Sequence, residues 1–110
     1  MKSKYHNNKV LVDNIRFDSK KEAMRFITLK ERERTGYIRN LTLQKTFVLL
    51  DGYVMNGKKI RPITYKADFM YYDTIKKKLV VEDVKGFRTE AYKIKKKMFE
   101  SRYGMELTEL

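Results

Sequence analysis

Two carboxylates and a lysine stand out by type and spacing. Asp68 lies in the apolar run Ala67-Asp68-Phe69-Met70-Tyr71-Tyr72. Fourteen residues further on, the run Leu79-Val80-Val81 ends in Glu82-Asp83-Val84-Lys85-Gly86. With 26 Lys and Arg against 14 Asp and Glu, and a formal net charge of +12, the chain has few acids to place. An acid set among apolar residues is costly unless something compensates it. Side chains alternate along a strand, so Asp83 and Lys85 share one face while Glu82 and Val84 take the other. If the run around Asp68 is the neighbouring strand, Asp68, Asp83 and Lys85 converge. They would offer two hard oxygen ligands suited to Mg²⁺, with Mn²⁺ as a substitute, and an ammonium beside them.

Such a set suits phosphodiester hydrolysis. A carboxylate-held cation neutralises charge that builds on phosphate oxygens and makes a bound water more acidic. Lys85 would orient that water or stabilise the transition state, and Gly86 would let the backbone turn close to the substrate. The plainer reading of one Asp-x-Lys triplet in a Lys-rich chain is a salt bridge at a strand end. Glu82, on the opposite face by parity, is read as structural or solvated.

The elements that must position these groups are legible from periodicity and turn chemistry. Short β-prone runs around Asp13-Asn14 predict a small N-terminal β-hairpin. In 19–35, Ser19 is an N-cap, Ala23, Phe26, Ile27 and Leu29 form an apolar stripe, and Gly36 is a stop, which together predict a helix. The chain is β-prone from Leu41 to Leu50, and Asp51-Gly52 and Asn56-Gly57 then supply turns for an exposed excursion. The only proline, Pro62, opens the next strand. The runs Ile63–Asp73 and Lys77–Lys85 read as an antiparallel pair. A second helix follows from Thr89 to Gly104 with Ala91, Ile94 and Met98 as its stripe, while Tyr92, Phe99 and Tyr103 are assigned to the core. The terminal Met105–Leu110 predicts a last strand. The fold class is α/β, with an αβββαβ core after the hairpin, and residues 1–110 form a single domain.

Size and composition narrow the function. One modest core fits 110 residues of which 42% are hydrophobic. The absence of cysteine excludes disulfides and thiolate metal sites. No apolar run approaches the ~20 residues of a membrane span, and there is no signal-peptide pattern, which predicts an intracellular, cytoplasmic protein with no membrane partner. Glycine-rich phosphate loops are absent, so no nucleotide cofactor is expected. His6, the only histidine, argues against nuclease chemistries that need several. The basic excess predicts a polyanionic partner, foremost nucleic acid. From Lys76 to Lys97 nine basic residues face three acids. Arg88, Lys93, Lys96 and Lys97 are the candidate DNA-binding residues along the second helix.

Taken together, Asp68, the fourteen-residue interval and Asp83-Val84-Lys85, set in an αβββαβ chain, resemble the PD-(D/E)XK nuclease superfamily. Ala67 stands where that motif usually has proline. The segments FDSKKEAMRF, TYKADFMYYD, VVEDVKGFRT and YKIKKKMF look like a family of small phage-encoded proteins of this type, over about Lys9 to the C-terminus. The resemblance implies a restriction-endonuclease-like core and metal-dependent DNA cleavage in a bacterial host, with Asp68 and Asp83 as metal ligands and Lys85 as catalytic lysine. It also implies an acid from the first helix at the site, which here is Glu22. The residues alone leave Glu22 open, because Ser19-x-x-Glu22 is equally a capping box. The expected substrate is DNA, with branched four-way junctions favoured because so short a chain has little room for a sequence-reading module. Two coordinated nicks would then call for a homodimer. The rival readings are a non-catalytic DNA-binding or inhibitor protein, and a single-site nicking or end-processing nuclease.

Overall fold

The computed structural model describes residues 9–110; His6 lies outside them. Strands β1 (Val10–Val12) and β2 (Ile15–Phe17) form the expected hairpin. Asp13 and Asn14 both adopt positive φ, as a two-residue turn of this twist requires. Helix α1 (Lys20–Arg34) begins where the Ser19 hydroxyl accepts the Glu22 N–H. Then come β3 (Ile38–Leu50), β4 (Tyr53–Met55), β5 (Lys58–Ile60), β6 (Ile63–Asp73), β7 (Lys78–Asp83), α2 (Glu90–Tyr103) and β8 (Leu107–Glu109). Thr89 caps α2, and Gly104 ends it in the left-handed conformation that glycine tolerates.

The main sheet runs β3-β6-β7-β8, with the first two pairings antiparallel and β7-β8 parallel. This is a mixed α/β architecture with one mixed sheet and two helices, in the element order the sequence predicts. No helix of the described residues is long and apolar enough to cross a membrane.

Two apolar clusters flank the sheet. Phe17, Ala23, Phe26, Leu29, Phe69 and Tyr71 are among those buried under α1. Phe47, Tyr65, Ala67, Val81, Tyr92 and Phe99 are among those under α2. Each large side chain buried in this way contributes about 2 kcal/mol. The helical stripes differ in detail from expectation. Ile27, Ala91 and Ile94 are exposed, and Glu22 and Tyr92 occupy buried positions instead. A surface helix needs only about a third of its circumference inside; Tyr92 and Phe99 fill that arc on α2, whereas Tyr103, expected in the core, packs edge-on to Phe47 at the margin and stays 40% exposed.

Tyr65, Ala67, Phe69 and Tyr71 all have odd numbers, yet the first two pack under α2 and the last two under α1. Phe47 and Leu49 part from Leu41 and Leu43 in the same way. Unbroken alternation would keep each set on one face. The break falls where the ladder steps from Leu43↔Phe69 to Lys45↔Ala67 and leaves out Gln44 and Asp68. Gln44 has φ 55° there, a conformation that costs a non-glycine residue about 1 kcal/mol or more. At that step both strands exchange the cluster they serve.

Glu82 is structural, as parity predicts, but it is buried and not solvated. It is 1% exposed and accepts a forked pair from Arg25, Nε to Oε1 at 2.9 Å and Nη2 to Oε2 at 2.5 Å, with the Tyr71 hydroxyl also donating to Oε2. The pair ties α1 to the sheet. Arg25→Ala should destabilise the protein by about 3 kcal/mol in urea unfolding, because it strands a buried charge. Replacing both partners with apolar residues should cost less. An unfolding midpoint that does not move in Arg25→Ala would refute this.

Candidate active site

The inverted step puts Asp68 at the seam between the two clusters, next to the end of β7. Its Oδ2 accepts the Val84 N–H at 2.7 Å, which fixes the carboxylate where the β6-β7 ladder stops. Its Oδ1 lies 3.4 Å from Gln44 Nε2. The same amide nitrogen donates to Glu22 Oε2 at 3.2 Å, so one side chain from β3 bridges the acids of α1 and β6.

Asp83, the last residue of β7, is wholly buried. The Tyr65 hydroxyl donates to its Oδ2. Its Oδ1 has no hydrogen-bond partner among the described residues. The Lys85 Nζ is 3.7 Å from that oxygen, near enough for Coulombic attraction and too far for a hydrogen bond. Lys85 in turn lies 5.6 Å from the centre of the Tyr92 ring, a cation–π contact that steadies a half-exposed side chain. β7 ends at Asp83, short of the expected Lys85, yet Lys85 from the segment just beyond it still reaches Asp83, and Asp68 and Glu22 stand beside them.

The electrostatics follow from crowding like charges in a poorly solvated corner. Burial, then the charges of Asp68, Asp18 and Asp83, push the Glu22 carboxyl up to about 7, with Lys85 pulling the other way. Asp68 is raised by burial and, more weakly, by Asp83, against the Val84 N–H, Lys85 and Gln44. Burial also raises Asp83, opposed by the Tyr65 hydroxyl and Lys85. The Tyr65 hydroxyl is itself pushed up, by burial and by its bond to Asp83, so it stays protonated and keeps donating.

All four expected site residues, Glu22, Asp68, Asp83 and Lys85, are thus brought together. Glu22 is no mere cap: Ser19 caps the helix through the Glu22 backbone, while the Glu22 carboxylate turns to Gln44. Sequence reasoning missed Gln44 and Tyr65. The signal for Gln44 was faint, a polar residue within the β-prone run Leu41 to Leu50. Tyr65 reads as an ordinary inward-facing strand aromatic.

Among the described residues no three acid or histidine side chains close on a single point. The chain instead offers Asp68 and Asp83, with one carboxylate oxygen buried and without a hydrogen bond among the described residues. One or two protein carboxylates, completed by water and substrate oxygens, is the usual Mg²⁺ arrangement, so the residues present fit that cation.

The candidate DNA-binding residues are not brought together in the same way. Arg88 pairs with Glu109 at 2.8 Å, Lys93 with Glu90 at 3.4 Å and Lys96 with Glu100 at 3.1 Å. Lys97 is exposed and makes no ion pair among the described residues. Lys76, Lys77 and Lys78 lie at the far end of β7 from Asp83.

The Glu22 shift has a consequence for stability. A carboxyl whose folded pKa is raised from 4.5 to about 7 holds its proton in the folded state over a range where the unfolded chain has released it. Folding stability should therefore fall as pH rises through that window. Glu22→Gln should remove this slope and be the more stable protein at pH 7. Thermal unfolding from pH 5 to 8 checks it, and parallel curves for the two proteins would refute it.

Nothing matches the chain among curated proteins or among solved structures. One family model matches residues 2–109, described as "Protein of unknown function (DUF1064)". With nearly the whole chain covered, the protein belongs to the DUF1064 family.

Proposed function

We propose that this protein is a Mg²⁺-dependent DNA endonuclease with a restriction-endonuclease-like core. The observation that carries the reading is the Asp83 carboxylate, fully buried, with Oδ1 lacking a hydrogen bond among the described residues and only the Lys85 ammonium near it at 3.7 Å, placed beside two further acids. A fold that needed only a strand-end salt bridge would gain nothing from this crowding, since an unsatisfied buried carboxylate oxygen is costly. A bound divalent cation removes that cost.

Asp68 and Asp83 would hold the cation. When bound, Mg²⁺ would neutralise charge on the scissile phosphate and acidify a water. The remaining work belongs to the chain itself. The Val84 N–H and Gln44 fix the Asp68 carboxylate, and the Tyr65 hydroxyl fixes Asp83. Lys85, held over Tyr92, directs its ammonium to the attacking water or to the charge that develops on phosphate oxygens. Glu22, titrating near neutrality, can take up a proton at its carboxylate. Within this class we favour a structure-selective enzyme of the junction-resolvase kind, acting as a homodimer whose two sites nick opposing strands.

Asp83→Asn separates the endonuclease from a structural salt bridge. It keeps the shape and an acceptor for Tyr65 but removes the crowded charge. Cleavage should be abolished while thermal stability holds or rises. Stability lost together with a normal cleavage rate would refute the assignment. For Lys85→Ala, metal affinity should persist while turnover falls at least tenfold; retained turnover with lost metal affinity would reverse the role given to Lys85. Because burial raises the Asp68 and Asp83 carboxyls above their ordinary values, protons compete with the cation, and Mg²⁺ affinity measured by calorimetry should fall as the pH is lowered. An affinity independent of pH would count against these ligands. A panel of duplex, nicked, flap and four-way DNA then tests the preferred shape. Equal cleavage of all four would discard the resolvase reading and leave the endonuclease standing.

A further inference from the structure

The cations of this chain are unevenly matched by acids. At the start of α2 and along it, Arg88, Lys93 and Lys96 have carboxylate partners, while Lys95 and Lys97 have none among the described residues. Between Glu33 and Asp68 the sequence contains one acid, Asp51, and it accepts from Arg102 Nη2 at 3.3 Å. Within that stretch β4 and β5 pair as a ribbon outside the main sheet, and every residue of the ribbon is exposed. Asn56 and Gly57, at φ 50° and 75°, close its tip as a tight two-residue turn. Its base is closed too, since a Cβ on Gly52 would come within 3.0 Å of the Ile60 carbonyl oxygen and 3.2 Å of Pro62 Cδ.

The pairs Tyr53↔Ile60 and Met55↔Lys58 put four side chains on one face and leave Val54 and Lys59 on the other. Lys58, Lys59 and Arg61 carry the charge, and none makes an ion pair among the described residues. β4 and β5 pair only with each other and not with the main sheet, as a projecting element requires.

We propose that this ribbon is an arm that lies in the major groove of duplex DNA beside the cleavage site, with Lys58, Lys59 and Arg61 on the flanking phosphates. Charge selects the occupant: an unmatched, single-signed ribbon is complementary to a polyanion, whereas a second copy of the arm would add like charge to like. The groove is wide enough for a two-stranded ribbon, and its sugars and thymine methyl groups give Tyr53, Met55 and Ile60 apolar surface to meet. From Asp68 to Gly57 the extended chain spans at most about 36 Å, roughly one helical turn of duplex, so arm and site can share one DNA molecule. The proposal rests on the endonuclease reading only in taking DNA as the partner.

The test uses the full chain carrying Lys58→Ala, Lys59→Ala and Arg61→Ala, beside a Lys96→Ala/Lys97→Ala variant. Fluorescence anisotropy with a labelled duplex, in Ca²⁺ to suppress cleavage, gives affinity across a salt series. The arm variant should unfold like the wild type yet bind more weakly, and its plot of log K against log salt should flatten by about 0.9 per lost contact, up to about 2.7 for all three. An unchanged slope would overturn the proposal. So would a wild-type dimer that falls to monomers in the arm variant while duplex affinity per chain holds, since the ribbon would then be an interface between copies. Wild-type protein that fails to bind duplex at all would overturn it as well. If binding depends on the arm but Mg²⁺ never elicits cleavage, the arm stands and the endonuclease reading falls.

Discussion

Three carboxylates cannot share a desolvated corner without compensation, and much of this structure is arranged around supplying it. Asp83 has lost all contact with solvent, Glu22 nearly all, and Asp68 most of its freedom to the Val84 N–H. Each is raised above its ordinary pKa by burial before anything else. The protein supplies partial answers through the Gln44 amide, the Tyr65 hydroxyl and the Lys85 ammonium. The answer stops short at Asp83 Oδ1. Contrast Glu82, one residue away and just as buried, whose two oxygens are both met by Arg25 and Tyr71. Adjacent acids on opposite faces of one strand thus show the two fates of a buried carboxylate: one completed by the fold, the other left open in it.

The corner exists because β3 and β6 change faces at the same level. The β6-β7 register already sets position 68 opposite Asp83, and the change of face puts that position where the two clusters meet and not within one of them. The break at Gln44 and Asp68 lets apolar residues on either side continue into different clusters while the polar pair occupies the crossing. The strained backbone at Gln44 is the local cost, and the amide that bridges Glu22 to Asp68 is what the geometry returns.

Much of this was written in local patterns. Caps at Ser19 and Thr89, the left-handed stop at Gly104 and the turn pairs Asp13-Asn14 and Asn56-Gly57 act within a few residues, so the elements they bound are legible in sequence. Strand parity correctly divided Glu82 from Asp83. The inversion was not legible, because odd-numbered aromatics on both sides of Asp68 mimic one unbroken alternation. Nor were Gln44 and Tyr65, whose roles come from side chains brought together across strands. The helical stripes were read by apolar type, and Ile27 and Ile94 show the limit of that: a basic, charged helix turns its inward arc by tertiary fit, so Glu22 and Tyr92 went in and two isoleucines stayed out. The Arg88–Glu109 pair likewise depends on β8 lying beside the start of α2, whereas the lysine pairs Lys93–Glu90 and Lys96–Glu100 lie within α2 itself.

Glu22, Gln44, Asp68 and Asp83 come from α1, β3, β6 and β7, and they meet only where both apolar clusters abut. Local opening of either cluster would separate the acids, which ties the site's geometry to the packing of both. The β4-β5 ribbon has the opposite standing. It belongs to neither cluster, so its side chains can change with little effect on folding, and its sequence is free to answer to whatever lies outside the molecule. Crowded acids held at the seam, and unmatched cations carried beyond the core, place the two kinds of charge where each is hardest to neutralise from within. On the endonuclease reading, a bound cation and the phosphates of DNA would neutralise them from without.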